Sequence, residues 1–173
     1  MCSPIKPGHH IDLLELDDGR DVESVFARGV TSLVDIETEE TAVATIKFKN
    51  GALGIVEATT AARLVDLEGS ISILGEKRTV VIGGFAVNKI QTWKFSEEDN
   101  VIIEKYSVNP PNVCGYGYQV YYEHVVDCIV NQKVALVDGL KGRKSLELIT
   151  AMYESIETGK EVFLRCSLIN VNS

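Results

Sequence analysis

Residues 41–61 read TAVATIKFKNGALGIVEATTA. In the first half, Ala42, Ala44, Ile46 and Phe48 alternate with Thr41, Val43, Thr45 and Lys47. A period of two places each set on its own side of an extended strand. Asn50-Gly51 follows, and a second run, 52–61, begins directly after it. Asn-Gly between two alternating runs is the strongest short-range signal for a β-hairpin. This segment therefore commits the chain to antiparallel pairing.

Its surroundings repeat the theme. Residues 21–30 read as a strand before the hairpin, 67–75 and 78–87 as a pair turning at GEK, and 88–95 and 100–108 as a third pair across SEED. Strands in such short succession imply an antiparallel sheet. The character changes at Asn109-Pro-Pro-Asn112. Beyond it, Tyr118, Tyr122, Val125, Ile129 and Gln132 recur at steps of four and three, which is one helix face. Residues 138–143 read as a loop. Leu146, Ile149, Tyr153 and Ile156 then mark a second helix that Gly159 ends, and 160–164 is a last strand. Near the start, His9–Leu16 reads as a short helix stopped at DDGR, with Gly19 as its breaker.

The expected fold is α+β: a large, mostly antiparallel open sheet of about six or more strands, covered on one face by two or three helices. The middle strands have small or apolar residues on both sides, with Ala52, Gly54, Val56 and Ala58 against Leu53 and Ile55. A second face that is not polar wants cover. A homo-oligomer through the open sheet face is the expected cover, since closed symmetric dimers are the commonest assembly. Helices wrapping both faces within one chain is the other reading.

A length of 173 residues suits a single domain, expected over 9–166, with 1–8 a leader or truncated edge and 167–173 a tail. The formal net charge of −8 repels phosphate backbones, so nucleic acid is not an expected partner. The longest apolar runs, such as 80–87, are too short to span a bilayer, and the start has no signal-peptide pattern. Cys2, Cys114, Cys128 and Cys166 lack any ligand-like spacing. They read as reduced thiols of a cytoplasmic protein, with Cys128 in a core.

Three clusters have chemical potential. His9 and Asp12, three apart on a helix, share a face, whereas the adjacent His9 and His10 cannot both face one cleft. A carboxylate beside an imidazole suits a general base. On spacing alone, a dipole-favoured Asp beside two solvated histidines is the better reading. No third ligand is spaced for a metal. The stretch NPPNVCGYGYQVYYEH (109–124) gathers tyrosines and asparagine at a loop–helix junction, where they can stack on and hydrogen-bond a sugar or base. Tyr118 and Tyr122 as core residues is the competing reading. Asn112, Tyr116 and Tyr121 are free of it. Lys141, Arg143 and Lys144 lie near a helix start and could hold an anion, although a solvated loop explains them more simply. No phosphate-binding loop and no G-x-G-x-x-G after a strand is present, so no cofactor site belongs to this chain.

Four segments, HHIDLLEL…GRDVESVFARG, ATIKFKNGALGIVEATT, SISILGEKRTVVI and YEHVVDCIVNQKVALVDGLKGRKSLELITAMYESIETGKEVFL, together resemble the C-terminal domain of the glucose-fructose oxidoreductase / inositol dehydrogenase / MocA family. The resemblance runs in order from about His9 to Leu164, and its last segment is the most specific. The 109–124 stretch further resembles the branch acting on UDP-N-acetylated hexosamines and their uronates, oxidised at C3 with NAD.

The resemblance implies an N-terminal Rossmann domain binding NAD(P) in full-length members, followed by this domain, whose sheet carries substrate residues and mediates dimers or tetramers. It implies a first helix with a D-x-G-x-H-x-x-D-like motif, whose His acts in proton transfer. His9 matches that His and Asp12 the following Asp. Asn112, Tyr116, Tyr118 and Arg143 become the substrate-binding candidates. The match is incomplete: Ile5 and Pro7 stand where the family has Asp and Gly, and the Rossmann domain with its catalytic lysine is missing. The expected function is thus the substrate-binding and oligomerisation domain of an NAD(P)-dependent sugar, most specifically nucleotide-sugar, oxidoreductase, incompetent for hydride transfer alone. A separate Rossmann-domain chain is a conceivable partner. A stand-alone binding or assembly module, or an inactive dimerising remnant, is the alternative, since fold does not fix function.

Overall fold

The structure is a computed structural model that describes residues 21–33, 35–62, 69–84, 87–95, 103–104 and 117–164. In chain order, its elements are strands β1 (Val22–Val30), β2 (Thr41–Phe48), β3 (Leu53–Thr59), β4 (Ile71–Leu74), β5 (Thr79–Gly83) and β6 (Lys89–Lys94), helices α1 (Gly117–Val130) and α2 (Gly139–Thr158), and strand β7 (Val162–Phe163). They fall into two compact units, one within residues 1–62 and 137–173 and the other within 63–136.

The first unit holds an antiparallel sheet in the order β3-β2-β1-β7 with α2 on one face. The β2–β3 hairpin closes with a three-residue loop. The Gly51 amide donates to the Phe48 carbonyl at 2.9 Å, and the Phe48 amide donates to the Ala52 carbonyl at 3.0 Å. Gly51 sits at φ 86°, where only glycine is unstrained, and Asn50 Oδ1 accepts from the Ala52 amide at 3.0 Å. The expected Asn-Gly hairpin is therefore present, as a type I turn followed by a glycine bulge.

Register sorts the side chains. Val25 pairs with Ile46 and Ile46 with Gly54, and Ala27 pairs with Ala44 and Ala44 with Val56. These residues face α2, whose Leu148, Ala151 and Met152 complete a core with Val22 and Phe48. Each large aliphatic side chain buried there contributes about 1.5–3 kcal/mol. The opposite face carries Phe26, Arg28, Val43, Thr45, Ile55 and Glu57, and its apolar members are open: Leu53 is 80% and Ile55 76% exposed. This second face is more polar than expected, since Arg28, Thr45, Lys47 and Glu57 share it with the apolar residues.

Two details of α2 differ from the expectation. The helix begins at Gly139, so residues 138–143 are not a loop. Asp138 caps it, its Oδ1 accepting from the Lys141 amide at 2.9 Å. Leu146 is 62% exposed, because the inward face runs through Ser145, Leu148, Met152 and Ser155. Of the other residues that mark the helix, Ile149 and Ile156 pack against the core beside Leu148, Ala151 and Met152. Gly159, at φ 66°, does end the helix, and its amide donates to the Ser155 carbonyl at 2.8 Å.

The second unit holds the antiparallel sheet β4-β5-β6, with Ile71 and Val80 buried, and helix α1. The expected pair turning at GEK is β4–β5, closed by the Gly75 amide on the Arg78 carbonyl at 2.8 Å. Of the strand expected over 100–108, only Ile103 and Glu104 are described, and both are helical. In α1, Cys128 is buried and His124 and Val125 are half-buried, whereas Tyr118, Tyr122 and Ile129 are exposed. The core reading of the two tyrosines fails because the apolar arc of α1 is broad and holds Tyr118, Tyr122 and Cys128 together, so periodicity does not choose which part of it faces inward. The helix expected over His9–Leu16 lies outside the described residues. The class is α+β, with antiparallel sheets and helices, as the sequence implies.

Candidate functional site

The candidates divide between described and undescribed segments. His9, Asp12, Asn112 and Tyr116 lie outside the described residues. Tyr118 and Arg143 lie within them, on α1 and α2 respectively.

Tyr118 projects from the first turn of α1 and is exposed. One turn on, Tyr121 and Tyr122 meet edge to face, their ring centroids 5.4 Å apart at 70°. These rings present apolar faces with hydroxyl tips, the chemistry that stacks on sugars and bases. Deeper on the helix, His124 Nε2 accepts from the Leu136 amide at 3.0 Å and lies 3.5 Å from Cys128 Sγ. Asp127 Oδ2 lies 2.9 Å from Lys133 Nζ, and Asp127 Oδ1 accepts from Asn131 at 2.7 Å. Lys133 first, then Asn131, holds the Asp127 carboxyl below the usual carboxylate range. The C-terminal end of the helix is thus tied by side-chain hydrogen bonds, while its first turns carry the exposed aromatic residues.

At the start of α2, the basic residues are engaged with carboxylates. Arg143 Nε donates to Glu147 Oε1 at 2.9 Å, one turn along the helix. Lys144 Nζ lies 3.4 Å from Asp21 Oδ1, and Lys49 Nζ lies 3.3 Å from Asp21 Oδ2. Among the described residues the Arg143 fork keeps its two terminal amino groups uncommitted, which leaves donors for a ligand carboxylate or phosphate.

Sequence reasoning missed the buried polar connections of the first unit. Glu40 is only 3% exposed. It accepts from Ser32 Oγ at 3.2 Å and the Leu33 amide at 2.8 Å, which straps the segment between β1 and β2. Tyr153 donates to Glu39 Oε1 at 2.8 Å, and burial, aided by Glu39, pushes its hydroxyl above the ordinary tyrosine value. Ser24 donates to Glu161. No motif or spacing in the sequence marks these roles. An open depression of about 780 Å³ is lined by Glu154, Thr158, Lys160, Glu161, Val162 and Phe163, and contains none of the candidates. In the second unit, Trp93 stacks on Phe95 at 4.4 Å, and Arg78 caps Phe95 at 4.9 Å. Among the described residues no His, Cys, Asp and Glu cluster could hold a metal, and no helix is long and apolar enough to cross a membrane.

Residues 7–164 match the family described as the oxidoreductase family, C-terminal alpha/beta domain, of the Gfo/Idh/MocA type. The chain belongs to that family. Among solved structures it is similar to the WlbA dehydrogenase from Bordetella pertussis in complex with NADH and UDP-GlcNAcA, at 40% identity and a TM-score of 0.83. That likeness covers 92% of this chain and 46% of that one. It is similar in the same degree to WlbA from Chromobacterium violaceum, also in complex with NADH and UDP-GlcNAcA, at 40% identity and a TM-score of 0.81, over 93% of this chain and 45% of that one. An oxidoreductase domain protein from Kribbella flavida, at 19% identity and a TM-score of 0.72 over 92% of this chain and 49% of that one, shares the fold. The Gfo/Idh/MocA chain therefore spans less than half the length of the two WlbA dehydrogenases. No curated protein matches it.

Proposed function

We propose that this chain is the substrate-binding and oligomerisation domain of an NAD(P)-dependent nucleotide-sugar oxidoreductase. The observation that carries the reading is 40% identity, across nearly the whole chain, to two dehydrogenases whose structures contain NADH and UDP-GlcNAcA. In this reading, His9 moves the proton from the sugar hydroxyl and Asp12 orients its imidazole. Asn112, Tyr116 and Tyr118 contact the nucleotide sugar, and Arg143 presents its free guanidinium donors to an acidic group of the ligand. The exposed tyrosine surface at the start of α1 supports the sugar assignment, since it offers stacking faces with polar tips.

Hydride transfer requires a nicotinamide positioned against the sugar carbon. NAD(P) belongs to a nucleotide-binding domain in this reading, whether on the same polypeptide or on a separate chain, and these residues alone are incompetent for the redox step. The open face of the four-stranded sheet serves self-association, and the reduced thiols fit a cytoplasmic protein.

Titration with a panel of UDP-sugars, followed by Trp93 and tyrosine fluorescence, tests the reading. A saturable response to a UDP-N-acetylhexosaminuronate, reduced by Tyr118→Ala, is expected. Calorimetry should show no NAD binding. Tight NAD binding by this chain would overturn the division of labour, and a chain that binds no nucleotide sugar would be a purely structural, dimerising module.

A further inference from the structure

Asn50-Gly51 is the single Asn-Gly step in the sequence; at every other asparagine the next residue carries a side chain. Glycine puts no Cβ in the way of its own nitrogen, so this is the step at which a backbone nitrogen can most readily reach an asparagine Cγ. Both residues are exposed, and a Cβ built on Gly51 would meet nothing within 4 Å, so solvent reaches the turn. The fold nevertheless holds both reacting groups. The Gly51 amide donates to the Phe48 carbonyl at 2.9 Å, and Asn50 Oδ1 accepts from the Ala52 amide at 3.0 Å. While these bonds stand, the Gly51 proton is shielded from base and the Asn50 carboxamide is held on Ala52.

The chemistry at stake needs only water. The Gly51 nitrogen, its proton lost to hydroxide, attacks Asn50 Cγ. The N–Cγ bond forms, the Cγ–Nδ2 bond breaks, and Nδ2 leaves as ammonia with a proton from solvent. Water then opens the cyclic imide at either carbonyl, giving aspartate or isoaspartate. One water is consumed, one ammonia is released, and nothing is oxidised or reduced.

We propose that Asn50 is the deamidation site of this chain and that closure of the β2–β3 hairpin gates the reaction. The gate is the turn itself: the Gly51 amide must leave the Phe48 carbonyl before it can lose its proton, and the same opening frees the carboxamide. The two products differ in what they do to the fold. Aspartate keeps an oxygen where Asn50 Oδ1 stood, so the bond to the Ala52 amide survives. Isoaspartate adds a carbon to the main chain inside the loop that the Phe48 amide closes on the Ala52 carbonyl at 3.0 Å. Phe48 is a core residue, and its ring lies over Gly54, where a Cβ would approach it to 3.2 Å. A lengthened turn therefore disturbs the packing at this end of the sheet, beyond the exposed loop.

Ageing the full chain in warm, mildly alkaline buffer, with peptide mapping by mass spectrometry, tests both parts. In unfolding urea, Asn50 should be modified before any other asparagine. In native buffer its rate should be at least about ten-fold lower, the scale set by opening a pair of hydrogen bonds. Through a series of urea concentrations below the transition, that rate should rise in parallel with hydrogen exchange of the Gly51 amide. Equal rates in the native and unfolded chain, or a native rate indifferent to Gly51 exchange, overturn the gate. Another asparagine modified first in urea, or none modified at Asn50, overturns the site. The isoaspartate fraction, separated by ion exchange, should unfold at lower urea than wild type, whereas Asn50→Asp, which supplies the aspartate form directly, should keep the wild-type midpoint. An isoaspartate form with the wild-type midpoint overturns the effect on packing.

Discussion

Ser155 on α2 accepts a hydrogen bond from the Ala27 amide of β1 at 2.9 Å while donating to the Lys160 carbonyl at 2.6 Å. The two-residue β7 pairs β1 only at Ser24 and Val25. The Ala27 amide therefore falls on an edge that the sheet leaves unpaired, and a fully buried serine takes it. Ser155→Ala would leave the buried Ala27 amide unsatisfied and take the Lys160 carbonyl's partner away, at a cost of about 1–3 kcal/mol. The urea midpoint should fall accordingly with an unchanged slope. A midpoint within error of wild type would show that the bond contributes nothing.

Helix α1 ends on Gln132 in the left-handed region at φ 49°, with the Lys133 amide donating to the Cys128 carbonyl at 3.0 Å. Glycine is the residue that takes this position without strain. Gln132→Gly should stabilise the chain by about 0.5–1 kcal/mol, the relieved strain being partly offset by a more flexible unfolded chain. Thermal unfolding reads it as a higher midpoint, and Gln132→Val should lower the midpoint.

Tyr153 is held protonated by burial and then by the Glu39 carboxylate. Its folded pKa lies above the unfolded value of about 10, so its contribution is complete below that pH and is lost as pH rises through the folded value. Stability should decline above about pH 10 in wild type. Tyr153→Phe should remove that component of the decline, and it should cost about 1 kcal/mol at neutral pH through the lost hydrogen bond. Parallel pH profiles for the two proteins would contradict the assignment.

Asp21 is held below the usual carboxylate range, first by its hydrogen bond to Lys49, with Lys144 adding to it. Its stabilisation is present above the unfolded pKa of about 3.9 and is lost as pH falls through the lower folded value. The partners are half exposed, so Asp21→Asn should cost less than about 1 kcal/mol near neutrality. The difference between the two proteins should shrink below pH 4 and in high salt.

The strands of the first unit were legible because one face of β1 and β2 is buried and the other is not, which writes itself into the sequence as alternation. The hairpin was legible from Asn50-Gly51 because left-handed backbone at residue 51 selects glycine. The orientation of both helices was not. In α1, one broad apolar arc holds both Tyr118 and Cys128, so burial of Cys128 rather than Tyr118 leaves no periodic trace. In α2, Ser145 and Ser155 face inward for hydrogen-bonding and packing reasons that hydrophobicity does not encode. The candidate site rests on resemblance alone: His9 and Asp12 by spacing are indistinguishable from a solvated helix start, and the acids Glu39 and Glu40 gave no signal of their part-buried bonds.

In the proposed function these residues form the sugar-handling half of a dehydrogenase. The most direct measurement joins this chain to the nucleotide-binding portion of the Bordetella pertussis WlbA dehydrogenase and follows NADH formation from NAD with UDP-GlcNAcA. Turnover is expected, and it should fall at least about a hundred-fold on His9→Ala, the scale of a lost general base. A folded chimera that binds NAD yet oxidises no UDP-sugar, or one whose rate is indifferent to His9, would contradict it.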